Sequence, residues 1–150
     1  MNSNGCLFCR IASGALPSSV VYESADVVAF LDINPIRPGH IQIVPRDHFA
    51  YYDEIPAAIS GEIMLLGQRL APILRRSFRS QRVAFLYTGG DIAHAHAHVV
   101  PMQESTDITS RQYIVEQKIT FRETPRASEE ELNRSAILIV SGLRAAKTDA

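Results

Sequence analysis

Cysteine is scarce: Cys6 and Cys9 are the only two in 150 residues. A chain of this length buries a full core without disulfides, so a bridge-stapled scaffold is not expected. Charge of either sign is not in excess. Fifteen Lys and Arg stand against sixteen Asp and Glu, for a formal net charge of -1. That balance argues against a nucleic-acid binder working through bulk positive charge. No apolar run approaches the roughly 18 residues needed to span a bilayer, so neither nucleic acid nor membrane is an expected partner. The first residues, Met1-Asn2-Ser3-Asn4-Gly5, carry no positive charge and lead into no apolar run. No secretory leader is expected there, and the expected compartment is the cytoplasm. Internal repeats and low-complexity segments are absent as well. What is present is 46% apolar and 21% charged residues, which excludes a disordered chain and fits one ordinary domain over residues 1–150.

The two cysteines are spaced C-x-x-C, which admits three readings: half of a zinc site, a redox pair, or two unrelated thiols. A redox pair is expected to open a helix after a strand, and no strand signal precedes Cys6.

Further along, Val20-Val21-Tyr22 and Val27-Val28-Ala29-Phe30-Leu31 are β-prone runs around a Glu23-Ser24-Ala25-Asp26 turn, and predict a hairpin. Asn34-Pro35-Ile36-Arg37-Pro38-Gly39 reads as a loop, and Ile41-Gln42-Ile43-Val44 as a third strand. From Pro56 to Phe78 the residues Ile59, Ile63, Leu66, Leu70, Ile73 and Phe78 keep a helical stripe, with a kink or break expected at Pro72. Val83 to Tyr87 is a fourth strand and His96 to Val100 a fifth. Residues 103 to 126 carry little signal for regular structure. A second helix begins at Ser128, where Ser128-Glu129-Glu130-Glu131 fits a capping box. Strands, helix, strands, helix with short turns predict an α+β fold on a mainly antiparallel sheet.

The chemistry concentrates in His94-Ala95-His96-Ala97-His98-Val99-Val100-Pro101. On a strand, alternation places His94, His96 and His98 on one face, spaced roughly 6.5–7 Å. One such imidazole is ordinarily a satisfied structural group; three in alternation would need three separate partners. Neutral imidazoles bind zinc, and an imidazole nitrogen can also attack phosphorus while neighbours position oxygens and supply protons. The preceding Thr88-Gly89-Gly90-Asp91 is a turn whose glycines let backbone N–H groups approach an anion.

These residues resemble the histidine-triad (HIT) family of nucleotide hydrolases and transferases, whose motif His-x-His-x-His-x-x reads His94 to Val100 here. Cys6 to Ile11, Val28 to Pro35, and Pro38 to His48 resemble the family too, so the likeness covers about residues 5–102, with 103–150 as a C-terminal extension. The resemblance implies an α+β domain with a five-stranded antiparallel sheet, one long helix packed on it, a C-terminal helix, and a homodimer. It implies a purine nucleotide substrate, of the phosphoramidate or dinucleoside polyphosphate type, attacked at its α-phosphorus. His96 is then the nucleophile, His98 binds phosphate oxygen and handles the leaving group, and His94 and His40 orient the cluster. Asp32 accepts from the ribose hydroxyls, with a turn cap as its other reading. Leu7, Phe8, Ile11, Phe30 and Ile33 wall the base, with plain core as theirs. Some bacterial relatives hold a structural zinc; the likeness points to Cys6, Cys9, His48 and His94 as its ligands and to no organic cofactor. One departure stands out. The family's phosphate-binding Asn and Gly-Gln-Ser or Gly-Gln-Thr donors have no counterpart in residues 87–93, where Thr88, Gly89 and Gly90 are the available substitutes and Asp91 adds an anion. Ser105 to Tyr113, with Arg111, reads as a solvated loop or as a completion of the phosphate site. A non-catalytic nucleotide-binding or regulatory module, and a metal-dependent enzyme holding its ion on His94, His96 and His98, are the competing readings.

Overall fold

Five runs rich in β-branched and aromatic residues are strands in the computed structural model, which describes residues 5–88, 92–109 and 124–148. They are β1 (Val20–Glu23), β2 (Val27–Leu31), β3 (Ile41–Pro45), β4 (Arg82–Tyr87) and β5 (Ala97–Met102). The pairings are antiparallel and the order is β1-β2-β3-β5-β4. At the β1–β2 hairpin the Ser24 hydroxyl accepts from the Val27 amide at 3.0 Å, which closes the turn.

Alternation along the strands sorts side chains into two layers. Val27, Ala29, Leu31, Ile41, Ile43, Ala97 and Val99 enter the main core. That core lies against α2 (Ala57–Ser77), whose buried stripe is Ile63, Leu66, Leu70, Ile73 and Leu74, and against α3 (Glu129–Thr148) through Ile139 and Leu143. Val28, Phe30 and Val44 point the other way, into a smaller core with Phe8, Ile11 and Ala12 of α1 (Leu7–Ala12). The sequence pattern had not marked α1 as a helix, because six residues are too few to display a period.

Two expectations need correction. Of the kink or break expected at Pro72, the break does not occur: α2 is one helix across it. Proline withdraws one donor, from the bond to the Gln68 carbonyl, but Gln68 is exposed to water and the buried stripe continues on both sides. β5 begins at Ala97, one residue later than expected. Residues 92–96 bond elsewhere: the Ala95 amide donates to the Phe49 carbonyl at 2.7 Å, and the His94 amide to that of Ile92 at 2.8 Å.

The start of α3 follows its sequence signal. The Ser128 hydroxyl accepts from the Glu131 amide at 3.2 Å, and the Glu131 carboxylate accepts from the Ser128 amide at 2.9 Å. Just before it, the Ala127 amide donates to the Ile33 carbonyl at 2.7 Å, tying this segment to the β2–β3 loop. No described helix is long and apolar enough to cross a membrane.

Candidate active site

Register brings the polar residues together. Gln42 pairs with Phe30 on one side and His98 on the other. Asp32 follows β2 and His40 precedes β3, so alternation puts Asp32, His40, Gln42 and His98 on the face that carries α1.

Their hydrogen bonds fix where the protons are. The Ile36 amide donates to His40 Nδ1 at 3.3 Å, so that nitrogen is an acceptor and the His40 proton sits on Nε2. His40 Nε2 faces His98 Nδ1 at 3.0 Å and donates to it. The His98 proton is therefore on Nε2, which donates to the Thr88 hydroxyl at 2.8 Å. Burial, with His40 and His96 nearby, pushes the His98 pKa down to about 4 against the opposing pull of Asp32. Burial lowers His40 as well, despite Asp32. Both rings are thus neutral near pH 7. At 3.6 Å, the approach of His40 Nδ1 to Asp32 is too long for a hydrogen bond.

His96 precedes β5 and is 6% exposed. Its Nδ1 lies 2.6 Å from the His94 carbonyl oxygen and donates to it, which leaves the lone pair on Nε2. The ring stands edge-on to Phe8 at 5.0 Å and to His98 at 5.0 Å. An unprotonated imidazole nitrogen beside an imidazole N–H donor is a pairing that can attack an electrophile while hydrogen-bonding its leaving group.

His94 lies outside β5, yet its ring stays on the α1 side, 5.9 Å from Phe8. Its Nε2 donates to the Pro45 carbonyl at 3.0 Å, and its Nδ1 stands 3.4 Å from both Cys6 Sγ and Cys9 Sγ. Cys9 Sγ also lies 3.3 Å from His48 Nδ1. Ligand atoms of Cys6, Cys9, His48 and His94 all fall within 4.8 Å of one another. A tetrahedral zinc with ordinary bond lengths has S···N edges of about 3.6 Å, so this donor set fits zinc with little movement. The bond to Pro45 is the outer contact that aims a ligating imidazole. Burial and the Cys6 thiol push Cys9 up to about 11, which leaves little thiolate for redox exchange at neutral pH; a divalent cation reverses that balance. An ion shared by His94, His96 and His98, the metal-enzyme reading, does not match a His94 ring turned to the thiols.

The remaining expected residues divide. Asp32 accepts from the Asn34 amide at 2.8 Å and from Gln42 Nε2 at 2.7 Å, so it caps the turn and also faces the histidines. Phe8, Ile11 and Phe30 pack together as buried core, whereas Leu7 and Ile33 are exposed. Thr88 reaches His98; Gly89, Gly90 and Asp91 lie outside the described residues, as do residues 110–113 with Arg111. Ser105 and Thr106 are exposed. Two features were missed. Gln42 is a polar residue in an apolar strand, and period-2 reading places it beside His98. Arg37 makes a fork to Asp107 at 3.0 and 2.6 Å, joining the β2–β3 loop to the end of β5 and holding the Asp107 carboxyl below its ordinary range.

A buried histidine relay on an antiparallel sheet defines a class, and the comparisons with known proteins identify it. The HIT domain matches residues 13–105, and the chain belongs to the HIT family. An uncharacterized HIT-like protein of Methanocaldococcus jannaschii is 33% identical over 103 residues, covering 66% of this chain and 80% of that protein. The adenosine 5'-monophosphoramidase of Candida albicans is 31% identical over 108 residues, covering 66% and 71%. The crystal structure of a Zn-bound histidine triad family protein from Mycobacterium smegmatis is similar at a TM-score of 0.77 and 25% identity, covering 99% of this chain and 100% of that one.

Proposed function

We propose that this protein is a nucleotide hydrolase or transferase that attacks an α-phosphorus through a nucleotidyl-histidine on His96. The carrying observation is the 2.6 Å bond from His96 Nδ1 to the His94 carbonyl, which presents the Nε2 lone pair. The Nε2–phosphorus bond forms as the bond to the leaving group breaks. The His98 Nε2–H donates a hydrogen bond to that group, which departs as it takes a proton from solvent. Water then attacks phosphorus, releases a proton to solvent, and frees a nucleoside monophosphate from His96. Asp32 accepts from the ribose hydroxyls, Thr88 and the 89–90 backbone serve the phosphate, and the α1 face with Phe8 and Phe30 receives a purine. The phosphoramidase activity named for the Candida relative favours a nucleoside phosphoramidate as substrate.

Zinc on Cys6, Cys9, His48 and His94 has a structural role in this reading: it pins α1 to the end of β3 and to the triad segment. Four protein ligands leave it no open position for substrate. Residues 1–150 act as one domain, assembled as a homodimer.

The test is intact-protein mass spectrometry after brief mixing with adenosine 5'-phosphoramidate, alongside His96→Ala. One added AMP on the parent, absent in the variant, is the expected result. Nucleotide binding with neither adduct nor turnover would point to a binding module. Turnover surviving in His96→Ala would overturn the mechanism.

A further inference from the structure

Gln42 is a buried amide at the second position of β3, 5% exposed, flanked by Ile41 and Ile43. A primary amide offers two donors and an acceptor with two lone pairs, and burying it unfilled is unfavourable. Its Nε2 lies 2.7 Å from Asp32 Oδ2 and 3.2 Å from His98 Nδ1. Its Oε1 has no partner among the described residues. The opposite amide orientation would set oxygen against a carboxylate oxygen, so Asp32 determines which way it faces. An aliphatic side chain would fill the same space and orphan nothing. Packing therefore gives no reason for an amide here, whereas the two groups it touches do.

We propose that Gln42 is a positioning residue that ties the Asp32 carboxylate to the His98 imidazole and keeps the His98 proton on Nε2. This rests on the reading that Asp32 meets the ribose and His98 the phosphate. His98 Nδ1 receives one N–H from His40 and a second from Gln42. Two donors aimed at one lone pair oppose a proton at that nitrogen, in the neutral ring and in the imidazolium alike. The titratable groups facing His98 are His40, His96 and Asp32, and the carboxylate alone among them favours the imidazolium. By holding that carboxylate, the Gln42 amide also removes it as an acceptor for a proton at His98 Nδ1. Ribose placement and the hydrogen bond to the leaving group then share one side chain.

Gln42→Glu keeps the shape and replaces the donor by an acceptor; Gln42→Leu removes the polar group. Ring ¹⁵N–¹H correlation spectra of the nucleotide-free protein read the two nitrogens of His98 directly. In the parent, Nδ1 is unprotonated and Nε2 protonated from about pH 6 to 8. Gln42→Glu is expected to protonate Nδ1 over that range and to make kcat pH-dependent where the parent is flat. Gln42→Leu is expected to lower kcat/KM for adenosine 5'-phosphoramidate roughly tenfold while melting close to the parent. An unchanged His98 nitrogen pattern in Gln42→Glu overturns the proposal, as does unchanged kcat/KM in Gln42→Leu. A shifted pattern with no turnover even in the parent upholds the positioning role and instead refutes the hydrolase reading.

Discussion

Gly39 makes the most exacting backbone demand near the site, and Gly39→Ala tests whether His40 is placed by packing. Its φ is +89°, in the region that favours glycine, and a Cβ there would lie 2.6 and 2.8 Å from Cζ and Cδ2 of Phe78. The main chain of Phe78 is anchored and its ring packs against the main core, so the ring can yield only by giving up that packing. Its amide donates to the Leu74 carbonyl at 3.0 Å, and its carbonyl accepts from Gln103 Nε2 at 2.9 Å. Gly14 supplies the control, with φ +77° and nothing within 4 Å of its added Cβ. Gly14→Ala carries the backbone strain alone, about 1–2 kcal/mol. Gly39→Ala adds overpacking of about 1–3 kcal/mol, for roughly 2–5 in all. At this chain length each kcal/mol moves Tm by about 2–4 °C, so Gly39→Ala melts on the order of 4–20 °C below the parent. Differential scanning calorimetry on both variants separates the two effects. Because His40 is the next residue and its Nε2 sits 3.0 Å from His98, kcat/KM falls in Gly39→Ala and holds in Gly14→Ala. Equal melting drops for the two variants would refute the reasoning, since Phe78 would then be yielding without resistance.

Three further expectations have direct checks. Cys9→Ser lowers both zinc content by elemental analysis and Tm, with a smaller loss in the kcat of the folded fraction; unchanged metal and melting would sink the structural zinc. Stability declines in acid. Folded His98 stays neutral down to about pH 4 and His40 is lowered too, whereas unfolded imidazoles protonate near 6.5, so the unfolded chain takes up protons between those values. The contribution is whole above about pH 6.5 and is lost as pH falls toward 4; His98→Asn should flatten part of that slope in urea titrations at several pH values, and an unaltered slope contradicts it. Ser128→Ala removes the cap of α3 and lowers stability by about 1 kcal/mol, read from the urea midpoint at constant m; no shift there would mean that α3 is held by packing alone.

The strands, α2 and the cap of α3 were legible because each is a repeated or local signal: alternation, a helical stripe, a serine three residues before a glutamate. α1 was not, since Leu7–Ala12 is helical mainly through packing Phe8 and Ile11 onto Val28, Phe30 and Val44, partners at least sixteen residues away in sequence. Asp32 was legible in type and ambiguous in role; the structure shows the turn cap, with one carboxylate oxygen on the Asn34 amide, and puts the other oxygen on Gln42. The Arg37–Asp107 fork could not be read locally, because 70 residues separate its halves.

The triad shows how far alternation carries a site argument. The rings of His94 and His96 both approach Phe8, and what separates the three histidines is their partners. The ring of His94 joins the thiols while its carbonyl takes the proton of His96 Nδ1. One residue thereby links the thiol–imidazole cluster to His96, through the main chain and not through an imidazole. Loss of the metal ligands should then reach catalysis only as far as it lets residues 92–96 move. That segment has two other anchors, the Ala95 amide on Phe49 and the His94 ring on Pro45. Both come from the chain leaving β3, the strand whose other end carries His40, so the same strand that sets the relay also holds in place the His94 carbonyl that accepts from His96 Nδ1.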